Sequence, residues 1–325
     1  MSKEMAIAEA IDRLIIVDLG LRGVIDKLYN AARNLYNKPL TLTAAEAVKD
    51  RVSNGDYVIL ITGFRVPPNF IQESDGPPGI AALANILTRA FNTRTLVMIE
   101  SEYSIVMRRA LNSLGIELSC SCDVKPGTAA IISFPSNLEE ARTEAVKILD
   151  EYSPSLILSL EKVGMNKNGI YHNMGGLDVS KYHIKPEPLL EEAKKRNILT
   201  IGIGDGGNEI GMGNIVDTVR KYVPYGDVCR CPCRGGIAAV SKVDVLVVAS
   251  VSNWGGYGIE ALLAYLTGNV KLMHKPQQEL DLIKATIDAG AIDGVLGKSI
   301  YSVDAIPDRI HASLIDIMNY LISKR

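Results

Sequence analysis

Short apolar runs rich in β-branched residues recur along this chain, separated by longer stretches of helical character. They cover Tyr57 to Thr62, Thr95 to Ile99, Thr128 to Phe134, Ser155 to Leu160, Leu199 to Gly204 and Val243 to Ser250. Continuous apolar runs of this length suit strands buried on both faces, and strands that alternate with helices close into a parallel sheet. The expected fold is therefore α/β, a mainly parallel sheet with helices on both faces. The loops after Gly63 and after Glu161 are long enough to make the molecule two-lobed. Gly79 to Phe91, Glu102 to Leu114, the capped stretch from Ser136 to Tyr152, Pro186 to Arg196 and Pro307 to Ile322 read as helices. Met1 to about Lys38 also reads as helix, from the spacing of Ile7, Ile11, Leu14, Ile15 and Leu19, and Thr43 to Val52 as another. The expected division is a helical segment over 1–40 and an α/β domain over 41–325.

With 325 residues, 47% of them hydrophobic, the chain can bury a large core. Its formal net charge of -2, without a basic cluster interleaved with aromatics, argues against nucleic acid or an anionic membrane surface as partner. Lys3, Glu4, Glu9, Asp12 and Arg13 interrupt every apolar stretch near the start, so neither a signal peptide nor an anchor is read there. No apolar run approaches a membrane span, and a soluble, cytoplasmic protein is expected, with a homo-oligomer compatible with the sequence. The five cysteines form two clusters, Cys120 with Cys122 and Cys229 with Cys231 and Cys233. Their spacing is not the usual C-x2-C of structural zinc, so free thiols are expected; a soft-metal site or a disulfide, with one cluster meeting the other across the sheet, is the alternative. His172, His183, His274 and His311 are scattered and read as ordinary polar residues.

Ligands of open parallel sheets bind beyond the carboxyl ends of the strands. Carboxylates stand at several of those ends: Glu73 and Asp75 after the first strand, Glu100 after the second, Glu161 after the fourth, Asp205 and Glu209 after the fifth. Glu100 and Glu161, taken singly, fit a solvated strand end equally well. Asp205 and Glu209 sit among Gly204, Gly206, Gly207, Gly211 and Gly213, and glycines cost a helix about 1 kcal/mol each, so bare backbone is wanted there. Carboxylates that share a site repel, which raises some of their pKa values or recruits a cation. Oxygen-only donors suit Mg²⁺ or Mn²⁺. The spacing Gly202-x-Gly204-x-x-Gly207 fits a dinucleotide fingerprint, but Asp205 lies where a pyrophosphate needs neutral or positive surroundings, so no nucleotide cofactor is expected.

Several blocks carry a resemblance. Ile61 to Phe64, Glu73 to Gly79, Ser159 to Gly164, Asn168 to Met174, Gly202 to Gly213 and Val251 to Tyr257 resemble, in the same order, the C-terminal domain of the D-glutamate cyclase family. The likeness runs from about Ala44 to Tyr265 and is read as a stand-alone copy of that domain, with Lys162 where the family carries arginine. It implies a lyase that dehydrates D-glutamate, an acidic amino acid, to 5-oxo-D-proline. On that reading Asp205, Glu209 or Asp75 acts as acid or base. Glu73, Asp75, Glu161, Asp205 and Glu209 would hold a divalent cation. Arg65 or Lys162 would bind the α-carboxylate, and Thr62, Gly63, Asn173, Gly206, Gly207, Asn208, Ser252, Asn253 and Trp254 would line the substrate. The same acidic cluster would also serve an Mg/Mn-dependent hydrolase of phosphatase type, or a non-catalytic small-molecule-binding protein.

Overall fold

The computed structural model describes residues 2–324; Met1 and Arg325, at the outer limits of the two expected segments, lie outside the described residues. The central sheet is built from β1 (Tyr57–Gly63), β2 (Arg94–Met98), β3 (Thr128–Ile132), β4 (Leu156–Lys162), β5 (Leu199–Gly204) and β6 (Val245–Val248). The strands are parallel throughout and lie in the order β3-β2-β1-β4-β5-β6. The helices are α1 (Lys3–Ile15), α2 (Ile25–Tyr36), α3 (Leu40–Arg51), α4 (Pro77–Ala90), α5 (Ser104–Ser113) and α6 (Leu138–Tyr152). They continue with α7 (Glu187–Lys195), α8 (Val216–Tyr222), α9 (Ser252–Leu266), α10 (Pro276–Asp288) and α11 (Asp308–Ser323).

Alternate residues of a strand face opposite sides. Accordingly Val58 and Leu60 join one core with α4 and α9, while Ile59 and Ile61 join another with α6 and α7. The strand order reverses direction between β1 and β4, the place where open α/β sheets leave a crevice. Thr62 and Gly63 end β1 there, and Glu161 and Lys162 end β4.

The start of the chain departs from the expected single helix. Residues 16–24 form a loop between α1 and α2, with Leu21 and Gly23 at positive φ, and Leu19 is 46% exposed. Buried Asp12 explains the arrangement. Its carboxylate accepts hydrogen bonds from Tyr29 Oη at 2.8 Å, from the Leu40 N–H at 2.6 Å and from the Thr41 N–H at 3.2 Å, tying three helices together. α1 also packs on α9 and α11. Two short antiparallel ribbons, 65–66 with 71–72 and 302–303 with 306–307, are not among the expected strands, and the second takes in Pro307, expected as the start of the last helix.

A second buried polar network fastens the helical layer. His274 lies between two carboxylates, with Nδ1 2.5 Å from Glu260 of α9 and Nε2 3.2 Å from Glu279 of α10. Tyr257 Oη donates to Glu279 at 2.9 Å, and Asn85 of α4 donates to Glu260 at 3.0 Å. Burial opposes a charge on His274, but the two carboxylates outweigh it and push its pKa from 6.5 up to about 10. A raised histidine pKa stabilises the fold fully below the unfolded value, and that contribution is lost as pH rises through the folded one. Replacing His274 by Gln should cost ~3–5 kcal/mol at pH 6, because two buried carboxylates lose their partner. The deficit, measured by urea unfolding, should shrink between pH 6.5 and 10; a deficit independent of pH would show that His274 is uncharged in the fold.

Candidate active site

β5 ends at Gly204 and the chain folds back on itself. The Glu209 carboxylate accepts the N–H groups of Asp205 at 3.2 Å, Gly206 at 2.7 Å and Gly207 at 2.7 Å. A Cβ on Gly206 would stand 2.5 Å from Met174 Sδ, and one on Gly204 would meet Glu209 itself at 3.0 Å. The bare backbone thus lets the loop close over its own glutamate. Burial and then Asp205 push Glu209 up to about 7, against the opposing pull of the Gly206 and Gly207 N–H groups.

Beyond the strand ends lies a cavity of about 420 Å³ whose charged lining is Arg22, Glu73, Glu161, Asp205 and Asp304, with Asn173, Asn208 and Ser250 among its neutral polar residues. Arg22, from the loop between α1 and α2, donates to Asp205 Oδ2 at 3.0 Å and to the Ser250 carbonyl at 2.5 Å. Asp75 stands behind this wall, its two oxygens accepting the Ser252 and Asn253 N–H groups, each at 2.8 Å, at the positive end of α9. Carboxylate oxygens of Asp75, Asp205 and Asp304 lie within 4.8 Å of one another, as do those of Glu161, Asp205 and Glu209.

Burial, and next the charge of Asp205, push Asp75 up to about 8, although the Asn253 and Ser252 N–H groups oppose the shift. Glu73, Glu161 and Asp304 are driven well above the ordinary carboxylate range, by burial first and by their acidic neighbours second. Against these acids the lining offers one cation, Arg22, among the described residues. At neutral pH the cluster must therefore hold protons or bind a cation. Such an arrangement can take a proton at one oxygen and give one at another, and can supply an all-oxygen donor set. Backbone strain gathers here too: Glu161, Asp304 and Ala305 have φ of 47°, 53° and 63°, conformations that non-glycine residues adopt sparingly. A second cavity of about 420 Å³, beside the ends of β2 and β3, is bordered by solvated charges such as Arg108, Lys147 and Glu151 rather than by buried ones.

The family described as D-glutamate cyclase-like, C-terminal, matches over residues 11–319. The chain belongs to that family. It is also 31% identical over 228 residues to the human protein named D-glutamate cyclase, mitochondrial, an alignment covering 66% of this chain. The match takes in 34% of that relative, so this chain spans about a third of its length.

Within this family member the residues expected at the site separate into groups. Glu73, Glu161, Asn173, Asp205 and Asn208 line the cavity. Ser252 donates its N–H to Asp75 and its hydroxyl to Glu161. Asn253 accepts the N–H groups of Gly76 at 2.9 Å and Gly79 at 2.8 Å, fixing the start of α4 against α9. The Thr62 hydroxyl is buried without a partner, and Gly63, at φ 113°, leaves room for Glu100. Gly207, at φ 105°, packs toward Val219.

Lys162, Arg65 and Trp254 stand off the cavity and are bound elsewhere. Lys162 is fully buried against Glu100 and donates to the Gly63 carbonyl at 2.9 Å. Burial opposes the charge of Glu100, but Lys162 and His183 outweigh it and hold Glu100 at about 2. Arg65 is held at the Phe70 carbonyl, 2.8 Å away, and over the rings of Tyr103 and Tyr182. Trp254 is buried and donates Nε1–H to His311 at 2.8 Å. All four histidines, expected as ordinary polar residues, are buried.

Arg22 and Asp304 escaped the sequence reading. Gly20 and Gly23, flanking Arg22, were the signal that the helix breaks there. Asp304 and Ala305, both at positive φ, form the tight turn of a hairpin that local apolar pattern does not announce.

Mutual repulsion makes this cluster a burden on the apo fold. Asp304→Asn should therefore raise stability at pH 8 by about 1 kcal/mol, a gain of ~1–2 °C in Tm, when measured without divalent cations. A fall in Tm would show that Asp304 stabilises rather than strains the site.

Proposed function

We propose that the chain is a carbon–oxygen lyase that closes D-glutamate to 5-oxo-D-proline, assisted by Mg²⁺ or Mn²⁺. One observation carries this reading: a single arginine faces a ring of buried acids across a cavity that also presents an unpaired acceptor. The acceptor is Asn208 Oδ1, which has no partner while its Nδ2 donates to the His172 carbonyl at 2.8 Å. The family supports the same substrate class.

Arg22 would pair with the α-carboxylate of the amino acid. Asn208 Oδ1 and Asp205 would receive the α-ammonium. Once a carboxylate has taken a proton from it, the amine attacks the γ-carboxyl carbon and the C–O bond breaks. Glu161, which burial keeps protonated and which Ser252 orients, is placed to protonate the departing oxygen. Two protons leave the nitrogen and two reach that oxygen, which departs as water, so the cluster ends as it began. Asp75, Asp205 and Asp304, whose oxygens lie within 4.8 Å of one another, would hold a divalent cation, leaving Glu161 free as the acid. When bound it offsets the acidic charge that an anionic substrate meets and polarises the γ-carboxyl group.

The test is formation of 5-oxoproline from D-glutamate, with and without added Mn²⁺, followed by chromatography. Arg22→Gln should raise KM by about tenfold or more, the loss of a charge-assisted pair. Glu161→Gln should lower kcat by ~10²–10⁴-fold with KM little changed, as expected for a proton donor. A folded chain that forms no 5-oxoproline under either condition overturns the reading, and phosphate release from phosphomonoesters instead would favour a metal-dependent hydrolase.

A further inference from the structure

The cysteine triplet does not meet Cys120 and Cys122, which form a disulfide with each other. It surrounds His172 instead. His172 Nε2 lies 3.1 Å from Cys231 Sγ and 3.6 Å from Cys233 Sγ, while Cys229 Sγ lies 3.6 Å from Cys231 Sγ and 3.4 Å from Cys233 Sγ. All four donor atoms are within 4.8 Å of one another. We propose that these residues form a structural zinc site of Cys₃His type, separate from the acidic cavity.

Geometry is the first argument. A zinc ion with bonds of ~2.3 Å to sulfur and ~2.0–2.1 Å to nitrogen sits in a tetrahedron whose edges are ~3.5–3.8 Å. The observed edges, 3.1 to 3.6 Å, fall close to that range. The chain path is the second. Residues 229–236 form no regular helix or strand, and Arg234 is at φ 51°, so three side chains from one C-x-C-x-C stretch can converge on one point, whereas on a strand they would share a face but stand ~6–7 Å apart in succession.

The surroundings are the third argument. His172 is fully buried, and the polar atoms facing its Nε2 are sulfurs. Cys233 Sγ also accepts the Gly235 N–H at 3.4 Å and an Asn166 amide N–H at 3.5 Å, the kind of donors that stabilise a metal-bound thiolate. A soft sulfur-rich set selects zinc over the hard cations suited to the acidic cavity.

The site would act as a clamp. The Arg230 and Cys231 N–H groups both donate to the Gly176 carbonyl, at 3.0 and 3.2 Å, joining two loops at this seam. His172 also precedes Asn173 and Met174 of the cavity wall, and its carbonyl holds Asn208. The ion would add metal–ligand bonds to the hydrogen bonds at this seam.

The full chain, purified under reducing conditions and dialysed against EDTA, should retain about one zinc per molecule by elemental analysis. Cys231→Ser should retain at least about tenfold less, whereas Asp205→Asn should retain as much as the parent chain. Metal-stripped parent chain reloaded with Co²⁺ should show intense thiolate-to-cobalt charge transfer and tetrahedral d–d bands, a readout that does not depend on any variant folding. Three results would each overturn the proposal: a parent chain without zinc and without charge transfer on cobalt loading, equal zinc in Cys231→Ser, or bound iron with sulfide. None of them bears on the cyclase reading, which is tested by product formation.

Discussion

Repulsion among buried carboxylates around Asp205 is the constraint that much of this structure answers. Acids from the loop after β1, the end of β4, the loop after β5 and the C-terminal hairpin meet over the crevice where the sheet reverses its winding. An isolated buried carboxylate is costly, and several together are tolerable only with donors, protons or a cation. The protein supplies donors wherever it can: three loop N–H groups for Glu209, the first turn of α9 for Asp75, Arg22 for Asp205 and the Ser252 hydroxyl for Glu161. Even so, Glu73, Asp75, Glu161 and Asp304 remain well above the range in which carboxylates are ordinarily ionised. Those protonated acids are what the proposed proton transfers would use.

The rest of the architecture keeps these groups from drifting apart. Asp12 ties the first three helices, so the Arg22 loop is anchored on both sides. Asn253 locks α4 to α9 beneath the cavity, and the Glu260–His274–Glu279 network fastens α10 behind them. Glu100 and Lys162 show the contrasting solution. Paired in isolation from the cluster, they neutralise each other, and Glu100 stays ionised.

How much of this the sequence disclosed depended on range. The strands announced themselves because a doubly covered parallel sheet demands apolar runs such as Tyr57 to Thr62, and the carboxylates at their ends followed from chain order alone. Asn137 begins its helix as its position suggested, with its side chain accepting the Glu139 and Glu140 N–H groups. Charge partners at long separation left no local trace. Arg22 and Asp205 are 183 residues apart, and Lys162, on the strand that ends at the cavity, turns away to Glu100. The glycines around Asp205 signalled a close approach correctly in kind, but the groups that approach are the chain's own: Met174 at Gly206, Val219 at Gly207 and Glu209 at Gly204. His172 carried no spaced partner in the sequence because its companions lie 57 residues and more downstream in a loop without periodicity.

The most direct measurement is calorimetric titration of the chain with Mn²⁺ near pH 7 in buffers of different ionisation enthalpy, with Asp205→Asn alongside. If repulsion keeps protons on the cluster, cation binding should release about one proton per ion and Asp205→Asn should bind far more weakly. Binding without proton release, or with equal strength in Asp205→Asn, would contradict the idea that these acids act as one charged unit.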